Sequence, residues 1–249
     1  MTRVLSIGAT GSIGRFVVGE LLSRDLEVSA LVRHEARAAQ LLPGEVEFVR
    51  GDMETGDGLK EAVDGADAII LTHGGESREV DYDGVKLVLE ALGGRAPRIV
   101  LMTSMATSRG SDDYGGLLNW KRRAERLVRA YGAPYTIVRP GWFDLQRPTE
   151  NAVLFEQGDV TPVHIRRGVG RSQIAKTLVE AAFSPYSVAK TFELFSQEGK
   201  LQPNFDELFA DLASDRAAKL AGGGDTGVPL HDEPDDVLLD INAVRRIGR

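Results

Sequence analysis

The chain has no cysteine among its 249 residues. That removes disulfides, thiolate nucleophiles and cysteine-ligated metals together, and it fits a reducing compartment, the cytoplasm being the expected one. No apolar run approaches the roughly 18 residues that suggest a membrane helix, and the first residues lack the charged and apolar regions of a signal peptide. No membrane association is expected. Positive charge is in deficit as well: 30 lysines and arginines face 37 aspartates and glutamates, a formal net charge of -7. This argues against a broad nucleic-acid surface, because phosphate contacts rest on lysine and arginine. No group of histidines and carboxylates has metal-ligand spacing, so no metal is expected.

What is present is a glycine-rich turn, Gly8-Ala9-Thr10-Gly11-Ser12-Ile13-Gly14, placed directly after the apolar run Val4-Leu5-Ser6-Ile7. A chain that leaves a buried strand and enters a helix within a few residues needs a backbone without Cβ where it turns and where it meets a ligand. Gly8 and Gly11 fit those places. Gly14 falls one turn into the helix, where a missing side chain lets helix and strand pack closely. The unpaired N–H groups and partial positive charge of that helix N-terminus favour a bound pyrophosphate.

Apolar periodicity then alternates between two periods. Strands are expected at 4–7, 26–32, 46–50, 66–72, 98–103 and 135–139, with helices between them, such as the one carrying Ile13, Phe16, Val17 and Leu21. Six such alternations predict an α/β fold: a Rossmann-type, doubly wound parallel sheet with a small substrate-side annex toward the C-terminus. In such a sheet, ligands bind at the carboxyl ends of the strands. Arg33, followed by Arg37, stands at the end of the second strand, where a carboxylate would bond a ribose 2′-hydroxyl and an arginine would accommodate a 2′-phosphate. NADP(H) is therefore favoured over NAD(H) as cofactor. Asp52 leaves the third strand, either to cap the next helix or to bond an adenine amino group. The fourth strand opens into His73-Gly74-Gly75, and the fifth ends in Thr103 before Ser104.

The remainder is less regular. Short strands are expected at 152–155 and 163–165, a helix capped by Ser172, and a last strand at 191–195. An amphipathic helix carries Phe205, Leu208, Phe209 and Leu212, a flexible connection follows at 221–227, and a terminal helix over 237–241 docks on the same or a neighbouring subunit. Residues 1–198 form the dinucleotide-binding domain, with substrate-side insertions at about 144–170. Residues 199–249 form a helical extension.

Taken together, Gly-Ala-Thr-Gly-Ser-Ile-Gly-Arg at 8–15, Leu-Val-Arg at 31–33, Gly51-Asp52 and Tyr-Thr-Ile-Val-Arg-Pro-Gly-Trp at 135–142 resemble the atypical short-chain dehydrogenases/reductases. The resemblance is to the group of NAD(P)-binding proteins similar to NmrA and to flavin reductases, and it covers residues 3–198. It implies that Gly8, Thr10, Gly11, Ser12, Ile13 and Gly14 cradle the cofactor and that Arg15 and Arg33 contact the adenosine phosphate. It places Asp52 and Met53 at the adenine, and Thr72, His73 and Gly74 at the ribose near the nicotinamide. Thr103 joins these cofactor positions, while Pro140, Gly141, Trp142 and Phe143 border the nicotinamide. Ser104 and Lys121 occupy two active-site positions.

The chain departs from the family in one respect. Reductases of this superfamily generally use Tyr-x-x-x-Lys, two residues on one helical face. Four residues before Lys121 stands Leu117, which exchanges no proton. Tyr114 is a substitute if Gly115-Gly116 bends the chain; His73 is a second acid–base candidate, and His164 could line the substrate side. Lys121 either holds the nicotinamide ribose or is one more cation on the basic face Lys121-Arg122-Arg123-Arg126, while Trp120 reads as packing. The leading expectation is an NADP(H)-dependent oxidoreductase passing hydride to a small carbonyl, quinone or flavin. The alternatives are a non-catalytic NADP(H)-binding redox sensor, whose partner surface would be the extension, and a nucleotide-sugar epimerase-like enzyme. The partner is a small-molecule substrate or none, in a monomer or homodimer.

Overall fold

Short strands that are apolar at every position are stable only when both of their faces are covered. The computed structural model, which describes residues 2–110 and 116–249, meets that requirement with a three-layer arrangement. Six strands alternate with helices: β1 (Arg3–Ile7), β2 (Glu27–Val32), β3 (Glu47–Arg50), β4 (Ala68–Leu71), β5 (Arg98–Met102) and β6 (Tyr135–Pro140). The helices are α1 (Gly14–Leu22), α2 (Glu35–Ala38), α3 (Leu59–Val63), α4 (Gly84–Leu92) and α5 (Leu117–Tyr131), and a wide helical turn over Glu79–Asp83 runs into α4. After them come β7 (Trp142–Phe143), β8 (Ala152–Glu156), β9 (Gly168–Val169), α6 (Arg171–Phe183), β10 (Lys190–Gln197), α7 (Asp206–Ala210) and α8 (Asp235–Ile247).

The main sheet runs β3-β2-β1-β4-β5-β6-β10-β8, and only β8 is antiparallel to its neighbour. Ile7 pairs in register with Leu31 of β2 and Leu71 of β4, so the residues that follow these three strands converge at one edge. This is the point where the strand order reverses, and hence where a crevice opens. Alternation within each strand feeds both layers. In β5, Val100 and Met102 join the core beneath α1 and α6, while Ile99 and Leu101 join the core beneath α3, α4, α5 and α8.

Three expectations are corrected here. The strand at Ala152–Glu156 belongs to the main sheet, pairing with β10 rather than forming an annex. Residues 163–165 are not a strand; the small second sheet pairs Trp142–Phe143 with Gly168–Val169. Ser172 does not cap α6, whose N-terminus is at Gly170, with the Gly170 N–H donating to Gln173 Oε1 at 2.8 Å. Periodicity locates apolar residues but carries no information about which sheet a short strand joins.

The chain beyond β10 packs back on the same molecule. Phe205 and Phe209 enter an aromatic cluster in which the Phe155 and Phe192 ring centroids lie 4.3 Å apart and those of Phe155 and Phe209 lie 5.3 Å apart. Val237, Ile241 and Val244 of α8 are buried against α5, each burial contributing roughly 1.5–3 kcal/mol. Charge docks this segment as firmly as apolar area. Arg122, Arg126, Arg129 and Arg139, from α5 and β6, are all buried, so Lys121 is not one cation of an open basic face with Arg122 and Arg126, the second of the two readings given for it. Glu233 receives Arg122 Nε at 3.0 Å, Arg123 Nε at 2.9 Å and Arg126 Nη1 at 2.9 Å. Asp225 chelates Arg139 with two contacts of 2.9 Å, which places a buried, paired carboxylate inside the stretch expected to be a flexible connection.

Removing one partner of a buried charge cluster leaves the others uncompensated, at a cost of about 3–5 kcal/mol. Glu233→Ala should therefore lower the urea-unfolding free energy by that order, whereas Asp232→Ala, at an exposed pair with His231, should change it by less than about 1 kcal/mol. Equal effects of the two substitutions in parallel unfolding curves would remove the structural role given to Glu233.

Candidate active site

A cleft of about 900 Å³ opens at the carboxyl ends of β1, β2, β4, β5 and β6. Its floor is the turn between β1 and α1. Gly8 has φ +88°, a region costly for other residues, and a Cβ there would lie 2.7 Å from the His73 backbone nitrogen. The Gly11 N–H closes the turn on Gly8 O at 2.9 Å. Gly14 sits so close to Gly8 O and the Ala9 backbone that no side chain fits, so its part is to pack helix against strand. No side chain caps the start of α1, leaving donors at that helix terminus for an anionic group.

Around this floor the structure gathers Thr10, Gly11, Ser12 and Ile13, then Arg33, Asp52 and Met53, and finally Thr72, His73, Gly74, Thr103, Ser104, Lys121, Pro140, Gly141 and Phe143. The strand register brings them together, since all but Lys121, which reaches in from α5, lie at or just beyond the carboxyl end of a parallel strand. Three expected positions fall outside the lining. Gly14 lies beneath the turn, Arg15 is exposed on the flank of α1, and Trp142 turns toward the annex, donating from Nε1 to Val163 O at 3.3 Å. His164 is exposed and away from the cleft. Tyr114 lies outside the described residues.

Local geometry refines several roles. Arg33 is exposed beside Glu54, 3.5 Å away; so open an ion pair is worth little and leaves the guanidinium available to a ligand. Asp52 does not cap α3, which starts after Gly58; instead its Oδ1 accepts the Glu54 N–H at 2.9 Å. Gly74 has open space where a side chain would stand, while a Cβ on Gly75 would meet Val80 at 2.5 Å, so protein packing requires glycine at 75 and not at 74. Gly141 is required by the Phe195 ring, 2.7 Å from where its Cβ would be.

The cleft lysine is held from behind the lining by a residue that sequence reasoning missed. Lys121 Nζ, on the second turn of α5, donates to Asp81 Oδ1 at 2.7 Å; Asp81 is buried and its Oδ2 has no hydrogen-bond partner among the described residues. Asp81 comes from the wide turn before α4. Its signal was an acid four residues before Val85 and seven before Val88, on the apolar stripe of that helix. His73 lies beside this pair, buried and with Nδ1 unpartnered among the described residues. Burial pushes its pKa down to about 4, the Lys121 ammonium pushes the same way, and Asp81 opposes them. The imidazole is thus neutral at physiological pH and is no proton donor there, which argues against the acid half of the role considered for His73.

A histidine held below its ordinary pKa contributes stability that is complete above about pH 6.5 and is lost as pH falls toward 4, here up to roughly 3 kcal/mol. In a proton NMR titration, one of the four imidazoles should stay neutral to below pH 5, and its signal should vanish in His73→Gln. Four imidazoles all titrating near 6.5 would refute the buried neutral state.

Comparison with known proteins places this geometry in a family. A family model described as NAD(P)H-binding matches residues 8–185. Among curated proteins, the chain is 31% identical over 180 residues to the chloroplast protein TIC 62 of Pisum sativum, a match that covers 59% of this chain and 33% of that protein. The chain thus spans about a third of that relative's length. Sanguinarine reductase of Eschscholzia californica is 24% identical over 263 residues, covering 85% of this chain and 96% of the reductase. A solved Rossmann-fold NAD(P)-binding family protein from Shigella flexneri superposes with a TM-score of 0.63 at 22% identity, covering 82% of this chain and 99% of that one. No helix among the described residues is long and apolar enough to cross a membrane. The chain belongs to the NAD(P)H-binding family, an atypical short-chain dehydrogenase/reductase group with the Rossmann fold.

Proposed function

We propose that the protein is an NADP(H)-dependent oxidoreductase acting on a small carbonyl, quinone or flavin acceptor. The observation that carries this reading is that Lys121, held at 2.7 Å by buried Asp81, lines the same cleft as the Gly8–Gly14 turn. The residues fit a dinucleotide: a turn too tight for side chains, an uncapped helix start and a cleft of the size usual for cofactors. The cofactor, when bound, supplies the hydride; the chain supplies orientation and electrostatics. Gly11, Ser12 and Ile13 hold the pyrophosphate, Arg33 the 2′-phosphate, and Lys121 the ribose beside the nicotinamide.

Proton delivery is where this chain departs from its superfamily. Leu117 opens α5 one turn before Lys121 and carries no exchangeable proton. With His73 neutral, Ser104, at the end of β5 in the cleft, is a hydroxyl that can donate a hydrogen bond to an acceptor oxygen. That favours acceptors whose reduced form takes its proton from water, such as quinones and flavins. In the redox-sensor alternative the partner surface is the outer face of the 199–249 extension, since the apolar face of α8 is buried against α5 of the same chain.

Two measurements test the reading. Arg33→Ala should weaken NADPH binding about 10- to 100-fold, as expected for losing a charge-assisted phosphate contact, and NADH binding by less than about threefold. Equal, small losses for both nucleotides in calorimetric titrations would remove the assignment of Arg33. In the second, wild-type protein with NADPH and a panel of quinones, flavins and aldehydes should consume the nicotinamide absorbance, and Lys121→Met should abolish that consumption. Tight NADPH binding with no turnover of any acceptor would overturn the oxidoreductase reading.

A further inference from the structure

A second cavity, of about 520 Å³, lies along α5 beneath the segment 216–231. Its lining is unusual for a chain of net charge -7. Arg122, Arg126, Arg129 and Arg139 face it from α5 and β6, Arg216 and Lys219 from the overlying segment, and Glu125 and Asp225 are the carboxylates that line it.

These cations are not equally matched. Arg139 has Glu125 at 2.6 Å and Asp225 at 2.9 Å, and Arg129 has Glu125 at 3.1 Å and Asp215 at 3.0 Å. Both guanidiniums are held above their ordinary pKa despite burial. Arg126 is in the opposite condition. Burial outweighs its contact with Glu233, Arg122 and Arg129 add repulsion, and its pKa is pushed down; its Nε has no hydrogen-bond partner among the described residues. Arg216 and Lys219 have no carboxylate partner among the described residues, and Arg216 Nε is likewise unpaired. Cations left short of counter-charge in a partly desolvated space are stabilised by an anion, and guanidinium groups match phosphate and carboxylate in geometry as well as charge. Leu220, Val228, Pro229 and Leu230 supply an apolar wall beside them.

We propose that this cavity is a second binding site, separate from the cofactor cleft, for a small organic polyanion: a phosphate monoester or a polycarboxylate with a short apolar body. Arg216 and Lys219 are its gate cations and Arg126 its inner one. The cleft and the cavity share a wall. Thr103, in the cleft, donates from Oγ1 to Glu125 Oε1 at 2.8 Å, and Glu125 is the carboxylate that Arg129 and Arg139 grip on the cavity side.

The test is isothermal titration of the full chain at low salt, with inorganic phosphate and citrate as separate probes. Neither probe needs the cofactor reading to be right. One saturable site is expected, weakened at least about tenfold in Arg216→Ala/Lys219→Ala and unchanged in Arg33→Ala, whose side chain lines the cleft. Both substituted side chains sit at the mouth and outside the buried network, so the double variant should keep the wild-type melting temperature, and Arg216→Lys should restore part of the affinity. Phosphate alone binding assigns the phosphate-ester source, citrate alone the carboxylate source, and both together the shared chemistry. Absence of saturable binding, or affinity unaffected by the double variant, overturns the proposal; the latter result would place the ion elsewhere, for example at the glycine turn.

Discussion

The guanidinium of Arg139 is buried at the end of β6, and most of the molecule's second half is arranged to satisfy it. A charge in that position is unsupportable unless it is surrounded by acceptors. Glu125 from α5, Glu193 from β10 and Asp225 from the segment beyond the sheet all reach it within 3.0 Å. The arrangement has its own tension. Burial, with Asp159 alongside, pushes the Glu193 carboxyl up to about 7, although Arg139 pulls it down. Through the Asp159 N–H, which donates to Glu193, and the Asp159 carboxylate, which receives Ala106 and Ser108, the same network holds the loop that follows Ser104. Stability of the core and shape of the cleft thus rest on one set of ions.

Within the cleft, electrostatics are divided by position. The β1–α1 turn and the exposed Arg33 give the outer part of the cleft positive or donor character. Deeper in, Lys121 and Asp81 form an ion pair that keeps a second carboxylate oxygen unengaged, beside a histidine held neutral by burial. Leu117, one turn before Lys121 at the start of α5, brings no titrating group to this surrounding.

Much of this was legible in the sequence, for a physical reason: a parallel sheet writes its ligand site at strand ends, and strand ends are visible as places where apolar runs stop. Ile7, Val32, Leu71 and Met102 marked them, and the residues that follow line the cleft together. What was not legible depended on long-range pairing. Nothing local says that β8 adds to the far edge of the main sheet, or that Gly168–Val169 rather than 163–165 pairs with Trp142–Phe143. The run Lys121-Arg122-Arg123-Arg126 left a basic face open as a reading because hydropathy counts arginine as polar, yet Glu233, more than a hundred residues away, makes burial of Arg122 and Arg126 tolerable. Asp81 was hidden for the converse reason, a single acid on an otherwise apolar stripe whose cation belongs to another helix.

The late position of Asp215, Asp225 and Glu233 in the chain bears on synthesis. A nascent polypeptide that has just completed β10 possesses every strand of its main sheet and all of its buried arginines, but lacks three of the carboxylates that neutralise them. Until about forty further residues have left the ribosome, α5 must carry Arg122 and Arg126 toward water rather than toward the interior. The sheet can form early, but closure of this flank waits for residues 215–233, and a chain arrested between residues 200 and 230 leaves those arginines without one or more of these three carboxylate partners.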